Sequence, residues 1–215
     1  MKIVFVSDLH GNLIGNIPPC DILCICGDLS KHFYHIGETS NWFNLKVKKW
    51  LNNIPAEEVC IIAGNHDEIF YNKNLLDTDF RWHYLEDSSI EINGLKIYGT
   101  PWTSIFLNWF FMKSEDNLKQ VFDAIPEDTD ILMTHGPPLG ILDQPIGRNL
   151  KHIGSLGLKE TILRKNIPHT AFGHIHGSGG RTLEILNDEK YLNFYNCSIL
   201  NERYKIVNKP IVKEL

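Results

Sequence analysis

The chain has 215 residues, 43% of them apolar and 22% charged, and its formal net charge is -5. This length suits one domain, residues 1–215, with a sizeable core, and the composition excludes a disordered chain. The negative balance leaves no basic face for a nucleic-acid backbone, and no apolar run approaches the length that crosses a bilayer.

Lys2 to Ser7 is a short apolar run that predicts a strand, not a signal peptide. It stops at Asp8-Leu9-His10, and Gly11-Asn12 turns the chain. Pro18-Pro19 precedes a second run, Ile22 to Cys26, which stops at Gly27-Asp28. A polar, aromatic loop follows, with His32 and His35 placed to line a rim. Thr39 to Asn53 is expected to be an amphipathic helix, because Phe43, Val47, Trp50 and Leu51 recur at helical spacing. Thr39 or Ser40 can cap its start and Pro55 ends it. Lys46, Lys48 and Lys49 form its solvated side. A third apolar run, Val59 to Ala63, completes a β-α-β passage and stops at Gly64-Asn65-His66-Asp67. From there to Leu85 no regular element is expected.

Ile90-Glu91-Ile92 and Leu95 to Tyr98 flank Asn93-Gly94, the signal of a type I′ hairpin. A loop dense in aromatic residues follows Gly99: Trp102, Phe106, Trp109, Phe110 and Phe111. Ser114 stands where it can cap a second helix with Leu118, Val121, Phe122 and Ile125 on its apolar face, closed by Pro126. Asp130 to Thr134 stops at His135-Gly136, and a Gly/Pro-rich loop continues to Gly147. Leu156 to Lys165 predicts a third helix. His169 to Phe172 stops at Gly173-His174-Ile175-His176, whose imidazoles would share one side of a strand. Arg181 to Leu186 and Tyr191 to Cys197 make a last hairpin around Asn187-Asp188. The tail from Asn201 to Leu215 shows no periodicity. Alternating strands and helices with a strand-rich end predict an α/β fold, a four-layer α-β-β-α sandwich of two mixed sheets flanked by helices.

The five cysteines (Cys20, Cys24, Cys26, Cys60, Cys197) are odd in number, and three lie within apolar strands. They are expected to be reduced, buried thiols, which points to a cytoplasmic location. Cys24-x-Cys26 has no second pair to complete a zinc spacing.

Five apolar strands thus end in Asp, Asn or His, and together they can build one polar site along a sheet edge. The inventory is Asp8, His10, Asp28, Asn65, His135, His174 and His176, with His66 beside them. Oxygen and imidazole ligands without thiolate suit Mn²⁺, Fe or Zn²⁺, Mn²⁺ being favoured. They are too many for one tetrahedral ion and sufficient for two divalent ions, which a carboxylate such as Asp28 can bridge. Two metals ~3.5–4 Å apart clamp phosphorus for in-line displacement and lower the pKa of a shared water, giving hydroxide near neutral pH. His66 follows Asn65 directly. In an extended segment its side chain would diverge from the metals, face the substrate and protonate the leaving oxygen. His83, His152 and His169 have no such company and are expected at the surface or in packing. Trp102 and Trp109 have two readings, a hydrophobic lid or a ring that stacks on a nucleobase.

These blocks resemble the calcineurin-like metallophosphoesterase superfamily. The order Asp8-x-His10, Gly27-Asp28, Gly64-Asn65-His66-Asp67, Thr134-His135-Gly136 and Gly173-His174-x-His176 is similar to its five-block pattern. The resemblance implies one metal on Asp8, His10, Asp28 and His176, a second on Asp28, Asn65, His135 and His174, and His66 as proton donor or transition-state stabiliser. Asp28 is followed by Leu29-Ser30-Lys31, unlike the Ser/Thr protein phosphatase branch. Tyr98-Gly99-Thr100-Pro101-Trp102, the stretch from His135 to Asp143, and Asn196-Cys197-Ser198 look like the metallophosphoesterase-domain-containing group of animal brain and its microbial, class III phosphodiesterase-like relatives. Some of those animal relatives carry Gly where His174 stands here. The implied reaction is hydrolysis of a small phosphodiester or nucleotide, cyclic nucleotides among the candidates. A phosphomonoesterase, acting on nucleotides or proteins, and a catalytically silent scaffold are the alternatives. No membrane or nucleic-acid partner is expected. The oligomeric state is open, with the aromatic loop the candidate surface for a dimer.

Overall fold

Every second residue of the central strands faces a different apolar layer, and this alternation stacks the molecule. The structure is a computed structural model that describes residues 1–31, 36–72, 80–146 and 151–215, and only the backbone of 36 and 37. The order begins with β1 (Lys2–Val6), β2 (Cys20–Cys26), α1 (Ile36–Trp42), a π-helical segment (Phe43–Val47), α2 (Lys48–Asn53) and β3 (Ala56–Ile62). It continues with α3 (Glu68–Tyr71), β4 (His83–Tyr84), β5 (Ser88–Ile92), β6 (Leu95–Thr100), β7 (Thr103–Ser104) and β8 (Met112–Lys113). After these come α4 (Glu115–Asp123), β9 (Ile131–Thr134), α5 (Leu156–Lys165), β10 (His169–Phe172), β11 (Arg181–Asn187), β12 (Lys190–Asn196) and β13 (Ile211–Glu214).

One sheet has the order β13-β1-β2-β3-β4, parallel except for β13. The other has the order β11-β12-β10-β9-β6-β5, parallel except for its antiparallel edges β11 and β5. Val4, Val6, Leu23, Ile25, Val59 and Ile61 pack outward against Phe43, Val47 and Leu51 of the first helical layer. Their neighbours Ile3, Phe5, Ile22, Cys24, Cys60 and Ile62 pack inward against Ile97, Ile131, Met133, Ala171 and Tyr195 of the second sheet. On the far side Tyr98, Leu132, Phe172 and Phe194 meet Leu118 and Phe122 of α4 and Leu158 and Ile162 of α5. These three apolar layers separate four layers of secondary structure, α-β-β-α, as the sequence predicts. Cys24 and Cys26 lie in the middle layer, where burial pushes both thiols well up, so they stay protonated and apolar. No helix of the described residues is long and apolar enough to cross a membrane.

The structure corrects several local expectations. The first helix starts at Ile36, so Thr39 and Ser40 lie inside it rather than at its cap. It passes through a π turn, marked by the Lys48 N–H donating to the Phe43 carbonyl. Its end is as expected, because Ile54 precedes Pro55 and is extended (φ -76°, ψ 142°). The stretch after Asp67 holds a helical turn, α3, and a short strand, β4. Ser114 occupies the N-cap of α4 without a side-chain cap bond. The aperiodic tail contains β13, antiparallel to β1. Asn93 and Gly94 both have positive φ (52° and 83°), as a type I′ turn requires. His32 and His35 lie outside the described residues.

Candidate metal centre

Parallel strands deliver their carboxyl ends to one edge, which is where open α/β sheets place ligands. Here the edges of both sheets also meet. Ser7, beyond β1, donates its N–H to the Cys197 carbonyl beyond β12 (2.9 Å), and Ile199 N–H donates back to Ser7 (3.0 Å). Across this seam the backbone turns sharply. Asp8, His10, Asp28 and His174 all adopt left-handed conformations, with φ of 55°, 42°, 51° and 67°. Such strain is held only where surrounding structure enforces it, and it concentrates at functional sites. Gly173 admits the close approach: a Cβ there would collide with Ser7 Oγ and Asp8 Oδ2.

The result is a buried cluster around two carboxylates. Asp28 Oδ2 lies 3.5 Å from His10 Nε2 and 3.4 Å from His135 Nε2. Its Oδ1 accepts the His66 N–H at 2.8 Å. Asp8 Oδ1 lies 3.3 Å from His176 Nε2. Asp8 also accepts the His174 N–H (3.0 Å) and the Ser198 hydroxyl (2.6 Å). His135 Nδ1 donates to the Cys26 carbonyl (3.0 Å) and His176 Nδ1 to the Asn201 carbonyl (3.1 Å). Each carbonyl fixes its ring so that Nε2 faces inward, the arrangement found behind metal-binding imidazoles. Asn65 Oδ1 is 2.9 Å from His135 Nε2.

Burial raises the Asp8 and Asp28 carboxyls. His176, hydrogen-bonded to Asp8, and His135, beside Asp28, outweigh it and hold both below the usual carboxylate range. Burial pulls His135 and His176 down, but Asp28 and Asp8 respectively win and hold each imidazole up at about 9. Burial, reinforced by His135, pushes His174 down to about 4. Burial likewise lowers His10, whose Nε2 is a buried atom with no hydrogen-bond partner. That orphaned nitrogen, two charged carboxylates and protons held by His135 and His176 are what divalent cations would satisfy or displace.

The ligand atoms of Asp8, His10 and His176 lie within 4.8 Å of one another, and so do those of Asp8, Asp28 and His135. Asn65 joins the second group through His135. The rings of His135 and His174 are 5.1 Å apart, and those of His10 and His176 5.4 Å. His174 and His176 therefore serve opposite ends of the cluster instead of sharing one side of a strand. The reason is local: β10 ends at Phe172, His174 is left-handed and His176 begins a 3-10 turn. Asn65 and His66 sit on a turn, not an extended segment, yet their side chains still diverge. The His66 ring stands 4.9 Å from His10 and 4.3 Å from Trp109. Trp102 is apart from the cluster. Its Nε1 donates to Asp87 (2.8 Å), its ring leans on Phe111, and the Lys113 ammonium covers it at 3.7 Å. His83, His152 and His169 pair with Glu58, Asp143 and the Tyr195 hydroxyl, away from the cluster.

Four supporting residues are not among the predicted ligands or catalytic residues, although Asp67 closes the Gly64-Asn65-His66-Asp67 block. Asp67, fully buried, accepts N–H bonds from Ser30 (2.7 Å), Gly64 (2.8 Å) and Leu29 (3.3 Å), and so clamps the loops after β2 and β3 together. Burial, with Asp28 nearby, holds its carboxyl up at about 6. Ser198 and Asn201 orient Asp8 and His176, and the Tyr204 ring stands edge-on 4.9 Å from His10. The Asn196-Cys197-Ser198 stretch could have pointed to Ser198; the aperiodic tail hides the other two.

A family model described as calcineurin-like phosphoesterase matches residues 1–178. The chain belongs to the calcineurin-like phosphoesterase family. Metallophosphoesterase domain-containing protein 1 of Homo sapiens is 32% identical over 242 residues, covering 100% of this chain and 71% of its own length. A UPF0046 protein of Caenorhabditis elegans is 29% identical over 253 residues, covering 100% of this chain and 60% of its own. A crystal structure superposes over 99% of this chain and 98% of its own with a TM-score of 0.63 at 15% identity, a likeness of fold. As a calcineurin-like phosphoesterase the protein is a metal-dependent phosphoric ester hydrolase that uses divalent ions. The donor set fits such ions: carboxylates, a carboxamide oxygen and imidazoles, with no thiolate among the described residues of the cluster.

Proposed function

We propose that the protein is a two-metal phosphodiesterase whose cations share Asp28. The observation that carries this reading is Asp28 Oδ2, poised between His10 and His135 at 3.5 and 3.4 Å, one imidazole from each ligand set. Asp8, His10, Asp28 and His176 would hold one ion, and Asp28, Asn65, His135 and His174 the other. Divalent ions held there would supply Lewis-acid neutralisation of the phosphoryl charge and a nucleophile from water. Asp28 holds His66 by its backbone N–H, which leaves the imidazole beside Trp109 to give a proton to the departing oxygen.

Diester preference is supported by two cavities, one lined by a cluster residue and one on the Trp109 side of His66. One, of about 440 Å³, is lined by His174 and Ile175. The other, of about 290 Å³, is lined by Trp109, Trp102 and Tyr71, and of these the Trp109 ring stands 4.3 Å from His66. A phosphodiester carries two organic arms and a monoester one. Cyclic nucleotides fit the reading as diesters with a single ring-closed arm, and the cytoplasm is their compartment.

The test is turnover by metal-stripped protein after Mn²⁺ is restored. The expected result is metal-dependent hydrolysis of bis-p-nitrophenyl phosphate at a higher kcat/KM than p-nitrophenyl phosphate. A reversed ratio would make the protein a phosphomonoesterase. No turnover of either ester with two metals bound would favour a silent scaffold.

A further inference from the structure

The cavity of about 440 Å³ at the His174 end of the cluster enters the reading above only as room for an organic arm; its walls say which kind of arm. Its size is that of a small-molecule site, and its lining has the composition such sites show. Ile105, Phe106, Ile153 and Ile175 give apolar walls; His174 joins it to the metal-ligand cluster, and Glu202 is the only acidic or basic side chain besides that imidazole among the described lining residues. Ile105 and Phe106 are 64% and 61% exposed and Ile153 is 45% exposed, so the rim is an open apolar lip rather than packed core. Water gains little from wetting such a lip, whereas a flat apolar group entering the cavity would be desolvated against it.

We propose that this cavity is the specificity pocket of the enzyme. It receives an uncharged ring carried on the substrate's phosphoryl group, and Glu202 at its wall turns away rings that bear an anion. The proposal rests on the reading that the phosphorus lies at the Asp28 cluster, and it holds whether the ester is a diester or a monoester. Two features fix the class of ligand. The walls offer apolar contact to a ring and no cation, among the described residues, to a second phosphate or carboxylate. The single carboxylate repels anions and accepts a hydrogen bond from an amino or hydroxyl group on the ring. Nucleobases and simple aryl groups belong to this class; rings with a further phosphate do not.

Calorimetric binding to the Mn²⁺-loaded full chain tests this without turnover. The probes are methylphosphonate, phenylphosphonate and 4-carboxyphenylphosphonate. Burial of the ring is expected to make phenylphosphonate bind about 10-fold more tightly than methylphosphonate. Ile153→Trp, at an exposed wall position, fills the cavity and should bring that ratio close to one. The 4-carboxyl group should weaken binding to the wild type, and Glu202→Gln should restore most of the loss. Methylphosphonate binding without a preference for the ring, or a ring preference that survives Ile153→Trp, would overturn the pocket and leave the phosphodiesterase reading standing. Failure of every phosphonate to bind would overturn both. Recovery of the carboxylated probe in Glu202→Gln alone would confirm the charge filter.

Discussion

Asp28→Ala is expected to lower kcat/KM by on the order of 10³-fold or more, the scale on which removal of one fixed electrostatic stabiliser already acts. The loss follows from position. Asp28 is buried, and its two oxygens face His10, His135 and the His66 N–H. Without the carboxylate, both ligand sets lose the group they share, and His66 loses its anchor. His135 also loses the partner that holds its imidazole up at about 9, so a buried ring is left without its counter-charge. Alanine could therefore act by unfolding the site. Asp28→Asn separates the causes: it keeps the shape and an oxygen for the His66 N–H but removes the charge. Asp28→Asn is expected to fold with a melting temperature close to wild type and to be nearly as inactive as Asp28→Ala. Steady-state kinetics with a melting curve for each variant checks this. Activity near wild type in the Asp28→Asn variant would contradict a shared anionic ligand.

His66→Ala is expected to lower kcat by about 10²–10⁴-fold for an ester with an alkyl leaving group, the usual range for a positioned general acid. The metal content should not change, because the His66 side chain lies toward Trp109 and His10 while its backbone makes the bond to Asp28. For a nitrophenyl ester the loss should be far smaller, since a leaving group that is already a stable anion needs little protonation. Comparing kcat for the two leaving groups in wild type and variant is the check. An equal loss on both, together with lost metal, would assign His66 to holding the cluster rather than to proton transfer.

The cluster was legible in the sequence because its residues sit where apolar runs stop. Parallel strands ending at a common edge turn that one-dimensional pattern into proximity, which is why Asp8, Asp28 and His135 could be placed together before any geometry was known. The same logic failed locally at His174 and His176. Their spacing suits a strand, but the strand ends before them, at Phe172, and the left-handed backbone at His174 sends the two rings to different ends. The layers were legible because the inward and outward residues of β1, β2 and β3 alternate between two apolar clusters. β13 was not, because its burial alternates only between half-buried and exposed positions and its pairing with β1 is a backbone matter. Tyr204 and Asn201 were hidden for a related reason: they reach the cluster from a turn closed by the Leu200–Ile206 bridge and its own hydrogen bonds, with no apolar periodicity to mark it. For Trp102 composition leaves both lid and stacking ring open, because it does not show the partners that engage the indole, Asp87, Phe111 and Lys113.

The central claim is that two cations share Asp28. The most direct measurement is the stoichiometry of Mn²⁺ bound by metal-stripped protein, read by calorimetric titration and elemental analysis, for wild type and Asp28→Asn. Two ions per chain are expected in the wild type, with weakened binding at both positions in the variant. One ion per chain in the wild type, or two ions held equally well by Asp28→Asn, would contradict the sharing of Asp28.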